Sequence, residues 1–384
     1  PDLLSPVRAA DPVDTWLSHE WIERAAYDGR NLLTQGFLPG LTCIYMFLQG
    51  ATVLGPGLVA PSFAWLQSVH VAWCLVAALG IGALASRLVT PAAAPVAAAA
   101  FLFAPFVLLQ PLVPAPYVFG PLFTAGLALL VLAVHRRRSA SALAALGALA
   151  GVAATSHPPL VPAAGLACAA ALLSILRAPR LPVACYAIPL LALFAAALPA
   201  LPDLETLRAM GDEFTRARGQ WAGLEGVLLG QRDPYTVPAL WEAGRVSRLD
   251  IALGALLSPF AIPRTSLRAF GDVLFEPVGA GLAALGIALA LRAMRRDATA
   301  RALLLVLALG ILPAFASSYD RPSHTRLFVA QVPLAILAGL GFEALRRALV
   351  PHVAPRTAAA TIAMAIALGG TLLFDVVNPR ILAS

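Results

Sequence analysis

Few side chains in this sequence can move a proton or hold an anion, and those that can fall at three places. The first is the stretch from Asp11 to Asn31, DPVDTWLSHEWIERAAYDGRN, which is strongly polar in a chain that is otherwise mostly apolar. Asp11 and Asp14 stand three residues apart with His19 and Glu20 just beyond, and a carboxylate beside an acceptor hydroxyl can act as a general base. The second is His157, in the tight turn Ser156-His157-Pro158-Pro159, where a cation or hydrogen-bond donor could meet an anionic head group. The third is SSYDRPSHTR, Ser317 to Arg326. There Arg321, His324 and Arg326 could together bind a phosphate, because the guanidinium fork matches phosphate oxygens and is always charged.

Each group also has a purely structural reading. Asp14 in the first turn of a helix stabilises it by about 0.3–1 kcal/mol with no chemistry involved. His157 can be a polar turn residue at an interface. Arg321 can pair with Asp320 while Arg326 snorkels along apolar surface toward water. Both readings stay open on the residues alone.

The elements that would position these groups follow from pattern. Asp11 is placed to be an N-cap and Pro12 suits the first helical position. Trp16, Leu17, Trp21 and Ala25 then share one face, and tryptophan favours the membrane-water boundary. The segment is therefore expected to be a short helix on a membrane surface, with Asp14 and His19 free to face another way.

The rest of the chain supplies the membrane. Of 384 residues 60% are hydrophobic and only 12% charged, against roughly 25% charged in a soluble domain, and mean hydropathy is +0.82. The fold class is all-α, a polytopic helical membrane protein. About ten spans are expected, near 64–86, 91–110, 117–134, 141–155, 158–176, 181–199, 272–291, 302–317, 327–345 and 357–375. Net charge is +7, and the sequence contains no lysine. Arg87, Arg136 to Arg138, Arg177 with Arg180, Arg292 to Arg301 and Arg346 to Arg356 fall on one side when the chain crosses at every run, which marks that side as cytoplasmic. The basic balance thus reflects orientation, including the His135 to Arg138 run, and implies no nucleic-acid partner.

This parity divides the chain into a first outer loop at 1–63, a central transmembrane module at 64–199, a long outer loop at 200–271 and C-terminal helices at 272–384. An outer start predicts a further transmembrane helix before Pro1. Residues 36–62 carry no charge but are interrupted by Pro39, Gly50, Gly55, Pro56 and Gly57, so they are expected to lie at the outer interface as a juxtamembrane helix without crossing. The 200–271 segment mixes charges with Trp221, Tyr235 and Trp241 and reads as amphipathic outer helices.

Cys43, Cys74, Cys168 and Cys185 stand far apart, mostly in apolar runs, and form neither a disulfide framework nor a metal-ligand pattern. No phosphate-binding glycine loop, HExxH or GxSxG occurs, so soluble-enzyme chemistries find no support. A transporter would need ionisable groups near the bilayer midplane, and most spans lack them. A non-catalytic membrane subunit remains the other alternative.

Four stretches carry a family resemblance: DPVDTWLSHE; FLPGLTCIYMFLQGATVLGPG; the pair HVAWCLVAALGIGALASRLVTPAAAPVAAAAFLFAPFVLL and PLFTAGLALLVLAVHRRRSASALAALGALAGVAATSHPPLVPAAGLA; and DRPSHTRLFVAQVPLAILAGLG. Together they resemble the C-type (GT-C) glycosyltransferases that use polyprenyl-phosphate sugars, in particular the protein O-mannosyltransferase and lipid A aminoarabinose transferase kind. The resemblance covers most of the chain. It implies Asp14 or Asp11 as the base, His157 at the turn position and Arg326 or Arg321 at the lipid phosphate; His324, His19 and Glu20, polar residues of the same outer segments, are read beside them as further substrate contacts. It also implies a lipid, glycan or protein acceptor, membrane lipids as surroundings, and a bacterial inner membrane with the active face periplasmic. No cofactor follows with certainty. A divalent metal of the oligosaccharyltransferase kind is open but unsupported, since the second outer loop, Leu112 to Val118, has no acidic residue.

Overall fold

The computed structural model describes residues 63–109, 119–137, 139–156, 160–176, 187–197, 275–315 and 327–383. Every element among them is helical: α1 (Phe63–Leu88), α2 (Ala93–Leu102), α3 (Pro105–Leu109), α4 (Phe119–Arg137), α5 (Ala140–Ser156), α6 (Leu160–Leu176), α7 (Ile188–Ala197), α8 (Pro277–Ala293), α9 (Ala298–Phe315), α10 (Phe328–Leu349) and α11 (Pro355–Ala383). The juxtamembrane helix expected over 36–62 and the outer loop expected over 200–271 lie outside the described residues.

Among the described residues, four helical stretches are long and apolar enough to cross a membrane by themselves: Ser68–Leu88, Phe119–Arg137, Phe328–Leu349 and Pro355–Phe374. The shorter α5, α6 and α8 have 17 residues each. At 1.5 Å per residue that is about 25 Å, a little under a hydrocarbon core of about 30 Å. The chain is a polytopic helical membrane protein.

Local sequence sets where helices begin. Thr90 Oγ1 accepts the Ala93 N–H at 3.3 Å and starts α2, Ser139 Oγ accepts the Ala142 N–H at 3.2 Å before α5, and Asp297 Oδ1 accepts the Thr299 N–H at 2.8 Å at the start of α9. Such side-chain acceptors satisfy amides that the first helical turn leaves without partners. The run expected as one span over 91–110 is two helices. The chain leaves the helix at Phe103 and Ala104, because Pro105 has no N–H to give and disfavours helical backbone at the residue before it.

The described helices fall into two compact units. The first takes its described residues from Pro1–Leu84 and Gln110–Pro202, the second from Ala85–Leu109 and Asp203–Ser384. In the first unit α5 lies against α7, while α4, α5 and α6 pack mutually. Leu143, Leu146, Ala150 and Ala153 make one buried stripe on α5, and Leu160, Ala164, Ala167, Ala171 and Ile175 make another on α6. Backbones come close where side chains vanish: a Cβ on Gly147 would overlap the Pro189 carbonyl.

In the second unit α10 is the central helix, buried continuously from Phe328 to Gly339 and flanked by α8, α9 and α2. Gly286 of α8 and Gly341 of α10 mark its tightest crossing, where added Cβ atoms would overlap the carbonyls of Leu337 and Leu282. Lipid tails are as apolar as leucine, so membrane helices gain by packing small residues closely, not by hiding apolar area from water. Pro333 sits inside α10 without breaking it. Near the far end, Glu343 accepts from Arg346 Nη2 at 2.8 Å, Arg346 Nε at 3.0 Å and Arg347 Nε at 2.6 Å.

Candidate functional site

All eight residues singled out for chemistry, Asp11, Asp14, His19, Glu20, His157, Arg321, His324 and Arg326, lie outside the described residues. The structure does define the helix ends that flank two of the three clusters. His157 falls between the end of α5 at Ser156 and the start of α6 at Leu160. The 316–326 segment falls between α9, which ends at Phe315, and α10, which starts at Phe328 on the fully buried Leu327 and Phe328.

The second unit has two distinct ends. The C-terminal turns of α8, the first turns of α9, the C-terminal third of α10 and residues Leu88 and Val89 line a common cleft. The arginine-bearing last turns of α1, α8 and α10 and the turn between α8 and α9 therefore gather at one end. The N-terminal turns of α8 and α10 lie toward the other, and so do the helix ends flanking 316–326.

Two polar side chains on those N-terminal turns were not picked out from sequence. Glu276 is 1% exposed. One carboxylate oxygen accepts the Val278 N–H at 2.7 Å and the other accepts the Gly279 N–H. Pro277 occupies the first helical position, where its lack of an N–H costs nothing. From α11, Gly369 faces the same carboxylate, and a Cβ there would stand 3.2 Å from Oε2. Both oxygens are engaged by backbone, so Glu276 is a buried helix cap. The signal for it was local: Glu followed by Pro at the edge of an apolar run.

Gln331 on α10 is also 1% exposed, and neither its Oε1 nor its Nε2 has a hydrogen-bond partner among the described residues. An unpartnered buried amide costs on the order of 1–3 kcal/mol, so an amide kept in this position is available to a ligand or a water. It lies five positions beyond Arg326 in the sequence. In the first unit, Trp73 Nε1 and Thr124 Oγ1 are likewise buried without hydrogen-bond partners among the described residues, and the Trp73 ring packs on Phe119 at 5.6 Å. Among the described residues no three His, Cys, Asp or Glu side chains stand together as metal ligands.

The helical architecture has relatives among solved structures: the chain has the fold of the GT-C glycosyltransferases. It is similar to ArnT from Cupriavidus metallidurans in the apo state, with a TM-score of 0.58 and 12% identity over 97% of this chain and 73% of that one. It is also similar to the apo oligosaccharyltransferase of Archaeoglobus fulgidus, with a TM-score of 0.54 and 15% identity over 94% of this chain. A complex of that enzyme with zinc and sulfate gives a TM-score of 0.52. This chain spans about half the length of the archaeal enzyme, 52% in the apo form. No protein-family model and no curated protein sequence matches it significantly.

Proposed function

We propose that the chain is a membrane glycosyltransferase, moving a sugar from a polyprenyl-phosphate donor to an acceptor hydroxyl at the non-cytoplasmic face. The observation that carries this reading is the fold, shared over 97% of the chain with ArnT. Two features of the chain itself support it. The helix ends flanking 316–326 lie at the end of the second unit away from the gathered arginines, as the positive-inside rule requires of an outer phosphate site. The acidic segment at Asp11 to Glu20 precedes the first described span, and arginine asymmetry assigns it to the same face.

In this mechanism Asp14, or Asp11 beside it, takes the proton of the acceptor hydroxyl as its oxygen attacks the anomeric carbon. The bond from that carbon to the phosphate oxygen breaks, and the polyprenyl phosphate leaves with the electron pair. Arg326 and Arg321, with His324, stabilise the charge that develops there. His157, His19 and Glu20 contact donor or acceptor. A single displacement inverts the anomeric centre. The acceptor is a lipid, a glycan or a protein, and the setting is a bacterial inner membrane with the active face periplasmic.

The test is transfer of labelled sugar from a synthetic polyprenyl-phosphate sugar to membrane acceptors by the purified, reconstituted protein. Wild type transfers label. A wild-type protein that neither binds nor consumes any such donor overturns the proposal.

A further inference from the structure

The cleft at the arginine-rich end of the second unit has a volume of about 840 Å³ and belongs to no part of the transfer mechanism. Small-molecule sites fall in roughly the range 300–1,000 Å³, so it is large for an inorganic ion. Its inner wall is apolar, from Leu289, Leu303 and Leu340, and its rim is cationic, from Arg292, Arg295 and Arg296. Asp297 is the one acidic residue in the lining, and its Oδ1 is engaged by the Thr299 N–H.

Neighbouring arginines are occupied in other ways. Arg301 donates to the carbonyls of Met294 and Arg295 at 3.1 and 3.3 Å, tying down the turn, while Arg346 and Arg347 are bonded to Glu343. Arg292, Arg295 and Arg296 have no carboxylate partner among the described residues. An orientation signal needs only positive charge near a helix end. It does not need three unpaired guanidinium groups around a leucine-walled hollow.

We propose that this cleft binds an anionic phospholipid, with the phosphate of the head group among Arg292, Arg295 and Arg296 and the upper acyl chain against Leu289, Leu303 and Leu340. Charge complementarity selects the phosphate, since guanidinium groups pair with it in fork geometry. The apolar wall selects a lipid over a free anion. Basic pockets between transmembrane helices at the cytoplasmic face are suited to anionic head groups in this way. The inference rests on the membrane reading and is independent of sugar transfer.

The experiment is native mass spectrometry of the purified full chain titrated with phosphatidylglycerol or phosphatidylcholine. Wild type retains phosphatidylglycerol in preference. The triple variant Arg292→Gln, Arg295→Gln, Arg296→Gln loses about fivefold in affinity for each arginine, about a hundredfold together. Thr299→Trp, which obstructs the cleft and leaves all three arginines in place, reproduces the loss. A control triple variant with the same charge change elsewhere, Arg136→Gln, Arg137→Gln, Arg356→Gln, retains the lipid as wild type does. Equal retention of the two lipids, or undiminished binding by Thr299→Trp, overturns the proposal. So does a control variant that loses as much as the cleft variant, or displacement of the lipid by inorganic phosphate at similar concentration.

Discussion

Replacing Glu276 with alanine removes both acceptors at the start of α8, and the structure sets the size of the effect. The Gly279 N–H is buried and loses its only side-chain acceptor, which costs about 2 kcal/mol; the Val278 N–H is partly buried and open to water, which adds about 1 kcal/mol. Glu276→Ala is therefore expected to destabilise the protein by about 3 kcal/mol. Glu276→Gln keeps one oxygen and should lose about 1 kcal/mol. Gly369 supplies an internal control, because a Cβ there presses on Oε2 at 3.2 Å. Alanine gains about 1 kcal/mol over glycine inside α11, so Gly369→Ala should be near neutral where its Cβ meets Oε2 and stabilising by about 1 kcal/mol once Glu276 is alanine, a coupling of about 1 kcal/mol. Unfolding of the detergent-solubilised protein against a denaturing surfactant, followed by tryptophan fluorescence, measures all four variants. Wild-type stability in Glu276→Ala, or the same effect of Gly369→Ala in both backgrounds, would refute the assignment of Glu276 as a buried cap.

Other substitutions probe separate parts of the account. Gly341→Ala places a Cβ on the Leu282 carbonyl at the crossing of α8 and α10, and should destabilise the second unit by about 1–3 kcal/mol in the same unfolding assay; no change would mean that the crossing is loose. Gln331→Leu removes a buried amide with no partner, so it should raise stability by about 1–3 kcal/mol without ligand while weakening donor binding measured by titration. Unchanged donor affinity would reduce Gln331 to a fold residue. Arg326→Ala should weaken donor binding by about tenfold or more, as loss of a charged hydrogen bond does, with little effect on unfolding. Unchanged affinity would favour snorkelling.

The membrane-spanning elements were legible where long apolar runs met arginine or proline. The runs expected at 64–86, 117–134 and 141–155 appear as α1, α4 and α5 within a few residues, because run length and flanking charge alone bound a span. Proline was ambiguous. Pro105 breaks the 91–110 run, yet Pro333 is carried inside α10, whose buried surroundings hold the helix together around the missing hydrogen bond. Averaging over the 272–291 run hid Glu276, since one carboxylate scarcely changes the hydropathy of a long window; the helix itself begins at Pro277. Which faces are buried was not legible in the alanine-rich helices, where apolar residues surround the axis. There, contacts such as Gly286 with Leu337 decide the packing, and they depend on partners remote in sequence. The proposed site residues were legible only as residue types and spacings, because Asp14, His157 and Arg326 come from three segments far apart in the sequence.

The most direct measurement of the central claim compares wild type with Asp14→Asn and Asp11→Asn in the reconstituted transfer assay, with donor binding and unfolding followed in parallel. With Asp14 as the base, Asp14→Asn binds the polyprenyl-phosphate sugar and unfolds as wild type does, but transfers sugar at least about a hundredfold more slowly, the loss expected when a general base is removed. If loss falls instead on Asp11→Asn, that neighbour is the base. Full transfer by both variants would contradict an outer-loop carboxylate as the proton acceptor.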